Sequence, residues 1–378
     1  MKNEGKVKVL HFVDRMGMGG IQTFLVNNMK YMDTKKVQID YLLLDDGVSY
    51  LFEDTVKQMG SKVYKLEGIW INRARDYIKY AKKLNDFFKV NYDYKILHMH
   101  SSSKNFLVLY YAKKYGIKIR IAHSHNIEFQ SKSKVKVLLG NFFKIFLTKT
   151  ATHYFACSEM AGRWLFGEKI LKKGKLQVVP NAVDIDNFKY NDIRNKEIRK
   201  ELGIEDKIVI GHVGRFTKQK NHEYLIYIFY EIYKLNNNAV LLLIGEGQLE
   251  NYIKTKVKQL GIEEKVIFMG VKNNVNEYMC VMDAFVFPSL FEGLGIALIE
   301  AQVNGLPCFT SADVVPCEAN VSDTLKYISL NDSPKEWANE ILRSGLKRND
   351  NIQRIIDKNY SIDKTYQFLE KFYMGNMD

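Results

Sequence analysis

Two glutamates lie eight positions apart in the stretch LFEGLGIALIEAQ, residues 290–302, directly after an apolar run typical of a buried strand. Glu292 lies in a glycine-bounded turn, and Glu300 lies among alanines, a leucine and an isoleucine. A carboxylate in apolar surroundings requires a specific partner, because removing its hydration water is costly. The vicinal hydroxyls of a ribose are such a partner. The alternative is that Glu292 is an incidental loop acid and Glu300 a solvated helix residue.

A second group of residues could neutralise phosphate. In HVGRFTKQKNHEYLI, Arg215 and Lys220 follow Gly214 in a polar loop between an apolar run and a helical segment. An arginine fork and a lysine ammonium suit a diphosphate without the help of a metal ion. Because cations in loops are usually just solvated, this pattern alone leaves both interpretations open.

A glycine-rich stretch, DRMGMGGIQTF, follows the first apolar run and opens the first helical segment. Gly17, Gly19 and Gly20 let the backbone approach a ligand closely, and a helix that begins at about Gly20 presents free N–H groups to an anion. The spacing is not the GxGxxG of a dinucleotide site. A phosphate contact and a purely structural turn both fit this stretch.

Histidines end two apolar runs, ILHMHSSS and IAHSHNIEF. The pairs His98/His100 and His123/His125 each share a strand face, but the chain supplies no third and fourth ligand at metal-site spacing. We therefore predict no metal site. We expect one of these histidines to hydrogen-bond a sugar or acceptor hydroxyl and the others to pack. The sequence DID at residues 184–186 has the spacing of a metal-binding DxD, yet it falls in a predicted linker.

The elements that must position these residues alternate along the chain. Short apolar runs typical of strands are separated by segments with the three-to-four spacing of helices, and the pattern restarts after Pro180. This predicts two successive α/β units with largely parallel sheets, joined near residues 180–186, and a ligand in the cleft between them. The predicted domains are residues 1–182, residues 183–360 and a last helix at residues 361–378.

Composition and charge limit the classes of function. The 378 residues are 46% hydrophobic and 26% charged, with 4 cysteines that show no CxxC spacing, so disorder, a disulfide framework and a zinc site are not expected. The beginning of the chain lacks signal-peptide character, and we expect a cytoplasmic protein. The net charge of +13 is concentrated in the first half, with about +16 in residues 1–184 and about −3 in residues 185–378.

A basic first half can serve nucleic acid, an anionic membrane surface or a phosphorylated substrate. The segment KSKVKVLLGNFFKIFLTKT, residues 132–150, mixes lysines with large apolar residues on a predicted helix. It is either a core-packed helix with a solvated basic face or a surface that docks on a membrane or a lipid phosphate. No nucleic-acid-binding module is recognisable, so we predict no nucleic-acid partner.

Together these motifs resemble the retaining glycosyltransferases of family 4. The matching stretches are GMGG, AHSHN, ACSEMAGRWLFG, VVPNAVDIDNF, GRFTKQKNH, GEGQLE, PSLFEGLGIALIEAQ and YSIDKTYQFLEKFY, which span nearly the whole chain. The resemblance implies the GT-B architecture, an α/β fold of two Rossmann-like domains facing a central cleft. It also implies that the C-terminal helix crosses back to the N-terminal domain.

The resemblance further implies a donor site for a nucleotide sugar, with UDP as the usual leaving group and no metal cofactor. Glu300 would bind the ribose hydroxyls, Glu292 the transferred sugar, and Arg215 with Lys220 the diphosphate. His125, in preference to His123, would lie near the anomeric carbon or the acceptor. The remaining donor-site residues implied are Gly17, Gly19, Gly20, Gly214, Gly293, Leu294 and Gly295.

Relatives with AHSHN resemble enzymes of bacterial capsule or exopolysaccharide assembly. This implies front-face transfer with retention, in which the leaving phosphate accepts the proton of the acceptor hydroxyl. The acceptor would be a lipid-diphosphate-linked sugar or oligosaccharide, reached at the inner face of the plasma membrane through the basic N-terminal domain. The alternatives are a UDP-sugar epimerase or hydrolase of the same fold and a basic nucleic-acid-binding protein.

Overall fold

The chain folds into two compact units in the computed structural model. The first unit comprises residues 1–181 and 362–378, and the second comprises residues 182–361. The structure describes residues 6–375 except residues 18, 46, 70–73, 128–132 and 313, and it does not describe the side chains of residues 51, 74 and 75.

The first unit contains a seven-stranded sheet with the order β3-β2-β1-β4-β5-β6-β7, in which all neighbouring strands run parallel. The strands are β1 (Val7–Val13), β2 (Val37–Leu44), β3 (Val63–Leu66), β4 (Ile96–Met99), β5 (Ile119–Ser124), β6 (His153–Ala156) and β7 (Leu176–Val178). The helices between them are α1 (Gly20–Tyr31), α2 (Leu51–Gln58), α3 (Ala74–Val90), α4 (Phe106–Lys114), α5 (Lys134–Thr150), α6 (Glu159–Phe166) and α7 (Glu168–Lys172).

The second unit contains a six-stranded parallel sheet with the order β10-β9-β8-β11-β12-β13. Its helices are α8 (Ile185–Phe188), α9 (Asp192–Leu202), α10 (His222–Leu235), α11 (Glu250–Gln259), α12 (Val275–Val281), α13 (Ile296–Val303), α14 (Pro334–Arg343) and α15 (Ile352–Asp357). Its strands are β8 (Ile208–Val213), β9 (Ala239–Ile244), β10 (Val266–Phe268), β11 (Ala284–Phe287), β12 (Cys308–Ser311) and β13 (Lys326–Ile328). Such continuous apolar runs are typical of parallel strands that are covered on both faces.

The last helix, α16 (Ile362–Met374), belongs to the first unit. It packs against α1, β1 and β2, and its Leu369 and Tyr373 are buried in the same cluster as Val9 and Phe24. The prediction of two Rossmann-like α/β domains, with the C-terminal helix returning to the N-terminal one, is confirmed.

The two faces of the first sheet carry different side chains. Leu10 and Phe12 of β1 face a wholly apolar cluster with α3 and α4, whereas His11 alternates with them and lies on the face covered by α1 and α16.

Of the helices in the described residues, none is long and apolar enough to cross a membrane.

Candidate functional site

An ion pair between Lys220 and Glu292 lies at the centre of the candidate site in the second unit. The Nζ atom of Lys220 is 2.6 Å from Oε2 of Glu292, and the two side chains are only 15% and 10% exposed. The same ammonium lies 4.3 Å from the centroid of the Phe287 ring, so Lys220 makes a cation–π contact as well as the ion pair. The structure thus brings together the two predicted residues that are 72 positions apart in the chain.

The loop after β11 is tied to the loop after β8 by further hydrogen bonds. The amide of Gln219 donates to Oε1 of Glu292 at 3.3 Å and to the carbonyl of Phe291 at 3.1 Å, and the backbone N–H of Leu290 donates to the carbonyl of Gln219 at 2.8 Å. The hydroxyl of Ser289 donates to Oε2 of Glu292 at 3.4 Å. Glu292 is therefore held in one orientation, as a residue that positions a ligand must be.

Glycines make the close backbone approaches in this unit. A Cβ on Gly245, whose φ is +136°, would lie 2.2 Å from the carbonyl oxygen of Gly214. Gly295, the N-cap of α13, has a φ of +68°, and a Cβ there would lie 3.3 Å from Cγ of Glu292. The predicted glycines 214 and 295 therefore shape this region, and Gly245, in the stretch GEGQLE, belongs with them. Gly293 and Leu294 lie in the same loop, and Leu294 is buried.

Glu300 is the fifth residue of α13 and is 6% exposed. Within the described part of the chain, no hydrogen bond or ion pair to its side chain is present. Burial raises the pKa of its carboxyl to about 8, because the interior disfavours the charged form. A buried acid without a partner among the described residues is a candidate for binding a ligand.

Arg215 differs from these residues, because its side chain is exposed. Its guanidinium has no hydrogen bond or ion pair with another described residue. An exposed arginine after the carboxyl end of β8, five residues before Lys220 in the chain, is available to bind an anion.

The predicted glycine loop lies in the first unit. The helix α1 begins at Gly20, as predicted, and its N-cap Gly19 is extended and offers no side chain to the first N–H groups. A Cβ on Gly17 would lie 3.1 Å from the Tyr50 ring, so a side chain there would require the tyrosine to move. Met18 lies outside the described residues.

Five buried histidines cluster on the face of the first sheet that α1 and α16 cover: His11, His98, His100, His123 and His125. Burial lowers the pKa of His11 to about 3 and that of His125 to about 4. Burial is also the main reason why the pKa values of His98, His100 and His123 lie well below the usual value. All five are therefore neutral at pH 7.

The predicted grouping of the histidines by strand face is present, but the sequence did not single out His11. The parallel register places His11 directly beside His98, and aligning the two strand ends would have found this neighbour. Two sets of three ring nitrogens lie within 4.8 Å of one another, in His11/His98/His100 and in His100/His123/His125. Along the chain, each HxH pair lacks a third ligand at metal-site spacing, but the fold brings a third histidine close to each pair.

His125, the preferred site histidine, is 9% exposed. Its Nε2 lies 2.9 Å from Nδ1 of His100, and its Nδ1 is buried with no hydrogen-bond partner among the described residues. A contact between His125 and a sugar stays a prediction.

In the DID stretch, Asp184 caps α8 by accepting from the N–H of Asn187 at 3.1 Å, and Asp186 pairs with Lys189 at 2.7 Å; both roles are structural.

Two family models match this chain and together cover most of it. The model described as Glycosyltransferase Family 4 matches residues 18–187, and the model described as Glycosyl transferases group 1 matches residues 194–360. The boundary between the two matches lies close to the boundary between the two units.

Proteins similar along their length include glycosyltransferases of polysaccharide synthesis. EpsF of Bacillus subtilis strain 168, described as a glycosyltransferase, is 29% identical over 348 residues, which cover 90% of this chain and 88% of EpsF. The capsular polysaccharide biosynthesis glycosyltransferase CapH of Staphylococcus aureus is 25% identical over 98% of this chain and 99% of CapH. The UDP-Gal:alpha-D-GlcNAc-diphosphoundecaprenol alpha-1,3-galactosyltransferase of Escherichia coli is 26% identical over 81% of this chain and 79% of that enzyme.

Solved structures with the same fold include Anabaena Alr3699/HepE in complex with UDP and glucose, with a TM-score of 0.76, 17% identity and coverage of 98% of this chain and 100% of HepE. WaaG, a glycosyltransferase involved in lipopolysaccharide biosynthesis, gives a TM-score of 0.70 at 16% identity and covers 97% of this chain and 100% of WaaG. These likenesses identify the fold as GT-B. The chain belongs to the glycosyltransferases, with a family 4 domain followed by a group 1 domain.

Proposed function

We propose that this glycosyltransferase moves a sugar from a UDP-sugar to a lipid-diphosphate-linked acceptor, with retention of anomeric configuration, in the synthesis of a cell-surface polysaccharide. The observation that carries the donor site is Glu300, a buried carboxyl that has no hydrogen-bond or ion-pair partner among the described residues and lies on the helix that follows Glu292. Ribose hydroxyls supply two hydrogen-bond donors, which is what such a carboxylate requires. HepE was solved with UDP-glucose bound, and the Escherichia coli relative uses UDP-Gal.

In this proposal the charge of the diphosphate is met by Arg215 and Lys220 instead of a metal ion. The bond between the anomeric carbon and the diphosphate oxygen breaks while the acceptor oxygen attacks the same face. The two cations stabilise the negative charge that develops on the leaving group, which is the main electrostatic contribution to such a transfer. The leaving phosphate takes the proton of the acceptor hydroxyl, so the glutamates bind sugars and do not exchange protons, unlike the carboxylates of glycosidases.

Glu292 is the residue assigned to the hydroxyls of the transferred sugar. Gln219, Lys220 and Ser289 hold its carboxylate in place, and a carboxylate has enough lone pairs to accept from a sugar as well. The same ion pair positions Lys220 for the diphosphate. The glycines of the second unit assigned to the donor site are Gly214, Gly293 and Gly295, with Leu294.

The acceptor is assigned to the first unit, where the positive charge is concentrated. The relatives from Escherichia coli and Campylobacter jejuni act, by their names, on sugars linked to diphosphoundecaprenol. An acceptor of this chemistry combines an anionic diphosphate with a lipid that stays in the membrane. A basic domain is suited to both.

The surface that would reach the membrane is the outer face of α5. Its inner face packs through the buried Gly140 and Leu147, while its outer face exposes large apolar side chains and lysines. The apolar side chains are Val135, Leu138, Leu139, Phe142, Ile145 and Phe146, and the lysines are Lys134, Lys136 and Lys149. Of the two alternatives for this helix, the exposed apolar face favours docking on an anionic lipid surface.

The test is to incubate the protein with a panel of UDP-sugars and a lipid-diphosphate monosaccharide, with and without EDTA, and to record product masses. We expect the acceptor mass to increase by one sugar residue with at least one donor, equally in EDTA, and an α linkage from an α donor. Release of a free sugar or of an epimerised donor without an acceptor product would indicate the hydrolase or epimerase alternative. Inverted stereochemistry would contradict the proposed retention of configuration. A requirement for metal would contradict the proposal that Arg215 and Lys220 neutralise the diphosphate.

A further inference from the structure

A continuous chain of hydrogen-bonding distances links the five buried histidines through Tyr373 of α16. His11, His98 and His100 each use Nδ1 toward one neighbour and Nε2 toward the other, whereas His125 and His123 end the chain with one link each. The separations are His125 Nε2 to His100 Nδ1 2.9 Å, His100 Nε2 to His11 Nδ1 2.9 Å, His11 Nε2 to Tyr373 OH 3.4 Å, Tyr373 OH to His98 Nδ1 2.7 Å, and His98 Nε2 to His123 Nδ1 3.1 Å.

This arrangement couples the tautomers of the histidines. A neutral imidazole carries one proton, so a ring that donates from Nδ1 must accept at Nε2. Because every link between two histidines joins an Nδ1 to an Nε2, the choice at one ring sets the choice at the next. With all links satisfied and the buried hydroxyl of Tyr373 donating to one of its two histidine neighbours, only two arrangements remain: a proton on Nδ1 of all five rings or on Nε2 of all five. The hydroxyl of Tyr373 points to His11 in the first arrangement and to His98 in the second.

The two ends of the chain distinguish these arrangements. His125 Nδ1 and His123 Nε2 are both buried, and neither has a partner in the described part of the chain. Near His125 lies Oδ1 of Asn181, a buried acceptor that likewise lacks a described partner. It opposes the lowering of the pKa of His125 by burial, as an acceptor beside an N–H does. Because Nε2 of His125 faces His100, Nδ1 is the ring nitrogen left to donate to this oxygen. A proton on Nδ1 then leaves only a lone pair of His123 unsatisfied, which costs less than a buried N–H without an acceptor.

We propose that the chain holds all five histidines in the Nδ1–H form and that Tyr373 is a positioning residue that keeps it so. His125 then presents Nδ1–H at the end of β5 as a hydrogen-bond donor, to Asn181 in the empty protein and to an oxygen of the ligand during transfer. It cannot act as a base there, because its only lone pair is used by His100. The contact of His125 with ligand rests on the proposed function, whereas the tautomer chain does not.

The direct test is the tautomeric state of each histidine, read from long-range proton–nitrogen couplings in the NMR spectrum of the ¹⁵N-histidine-labelled full chain at pH 7. We expect Nδ1–H signatures for the five clustered rings. His212 provides an internal standard, because its Nδ1 lies 2.8 Å from the carbonyl oxygen of Val286 and must carry the proton. Mixed tautomers within the cluster, or Nε2–H at His125, would overturn the proposal.

The variant Tyr373→Phe removes the hydroxyl and keeps the ring, so the chain is broken in the middle. We expect the tautomers of His98 and His123 to become mixed, because this pair loses its link to the end of the chain at Asn181. Since His11 also loses its donor at Nε2, we expect kcat to fall by up to about tenfold, as for other residues that orient a functional side chain, with the KM for the donor unchanged. The matched control is Tyr366→Phe on the same helix, for which both readouts stay at the wild-type values. Unchanged tautomers in Tyr373→Phe would overturn the role of the tyrosine.

Two further outcomes separate this proposal from its alternatives. If Tyr373→Phe changes the tautomers but neither Tyr373→Phe nor His125→Ala lowers kcat, the tautomer chain stands and the role of His125 in transfer is wrong. If elemental analysis finds a transition metal at one equivalent that His100→Ala removes, the proposal is overturned. A nitrogen bound to a metal cannot carry a proton.

Discussion

At the residue scale, Glu292 and Glu300 contact different parts of the donor in the proposed site, so replacing each should change a different measurement. Glu300→Ala removes the acceptor of the ribose hydroxyls, and we expect the Kd for UDP to rise at least about tenfold, since a hydrogen bond to a charged group contributes about 1.5–3 kcal/mol. Glu292→Gln keeps the shape of the side chain. It should lower kcat about 100-fold, as the loss of one transition-state contact does, with the Kd for UDP within about threefold.

Calorimetry with UDP and initial-rate kinetics measure the two effects. Glu201→Gln, on the exposed surface of the same unit, is the matched control and should change neither. Because Glu292 holds Lys220 in a largely buried ion pair, the melting temperature of each variant must also be recorded. Equal losses of UDP affinity in the two variants would show that the roles are not divided in this way.

Glu300 also predicts how UDP binding depends on pH. With a pKa of about 8, its carboxyl is protonated in the empty protein at pH 7. Ribose hydroxyls donate hydrogen bonds and so favour the carboxylate, which means that UDP binding must release a proton below pH 8. The affinity for UDP should therefore increase with pH by up to about tenfold per unit between pH 6.5 and pH 7.5 and level off above pH 8.

The measurement is calorimetric titration of UDP across this pH range in two buffers of different ionisation enthalpy, which reveals the number of protons released. Glu300→Gln cannot titrate, so any pH dependence that persists in this variant belongs to UDP or to other groups. A wild-type affinity with the same pH dependence as Glu300→Gln would mean that the carboxyl stays protonated and donates to the ribose.

The same residues show how far the sequence predicts the site. The apolar run before Glu292 and the helical spacing around Glu300 place both residues correctly on local grounds, because strand and helix periodicity are local properties. The pairing of Lys220 with Glu292, the packing of Gly245 on Gly214 and the register of His11 beside His98 depend on which strands are neighbours. Strand order is a property of the fold that single-sequence periodicity does not contain.

At the element scale, the apolar runs of the sequence predict nine strands of the described residues, namely β1, β2, β4, β5, β6, β8, β9, β10 and β11, and they miss β3, β7, β12 and β13. β7 and β13 are three-residue strands with exposed positions at the edges of their sheets. β12 has the sequence CFTS, and its polar residues are buried; the hydroxyl of Thr310 donates to the carbonyl of Phe287 at 3.0 Å. Short or polar strands lack the apolar run by which the others were recognised, and only their neighbours stabilise them.

The helix α5 provides the element-scale prediction. If its outer face docks on lipid, Leu138→Glu places a charge among the apolar side chains that would enter the interface. We expect about a tenfold or greater loss of binding to vesicles that contain phosphatidylglycerol, because burial of one leucine contributes about 1.5–3 kcal/mol. Binding of the wild type should weaken with salt and be lower to phosphatidylcholine alone.

Co-sedimentation with vesicles measures this binding. The matched control is Ile193→Glu on α9 of the second unit, because Ile193 is 69% exposed and Leu138 is 71% exposed. Equal binding of wild type and Leu138→Glu would assign the apolar face of α5 to another partner, and equal losses in both variants would point to a general effect of charge.

At the scale of the whole molecule, the histidines make the stability of the two units unequal in acid. Burial lowers the pKa of every clustered histidine in the first unit, and it lowers those of His212 and His222 in the second to about 3 and about 2. A histidine with a depressed pKa stabilises the folded state above its unfolded pKa of about 6.5, and this stability is lost as the pH falls toward the folded value.

We therefore expect the first unit to unfold before the second as the pH is lowered from 7 toward 5. At pH 5.5 protonation in the unfolded chain costs the folded state on the order of 1 kcal/mol for each buried histidine, so the five clustered rings together cost several kcal/mol, which is comparable to the whole stability of a domain. The two histidines of the second unit cost correspondingly less at the same pH. Scanning calorimetry between pH 7.5 and 5 should resolve two transitions. The midpoint temperature of the transition assigned to the first unit should fall more steeply as the pH is lowered. Histidine NMR signals identify the unit that melts, and a single transition that moves as one would mean that the two units unfold cooperatively.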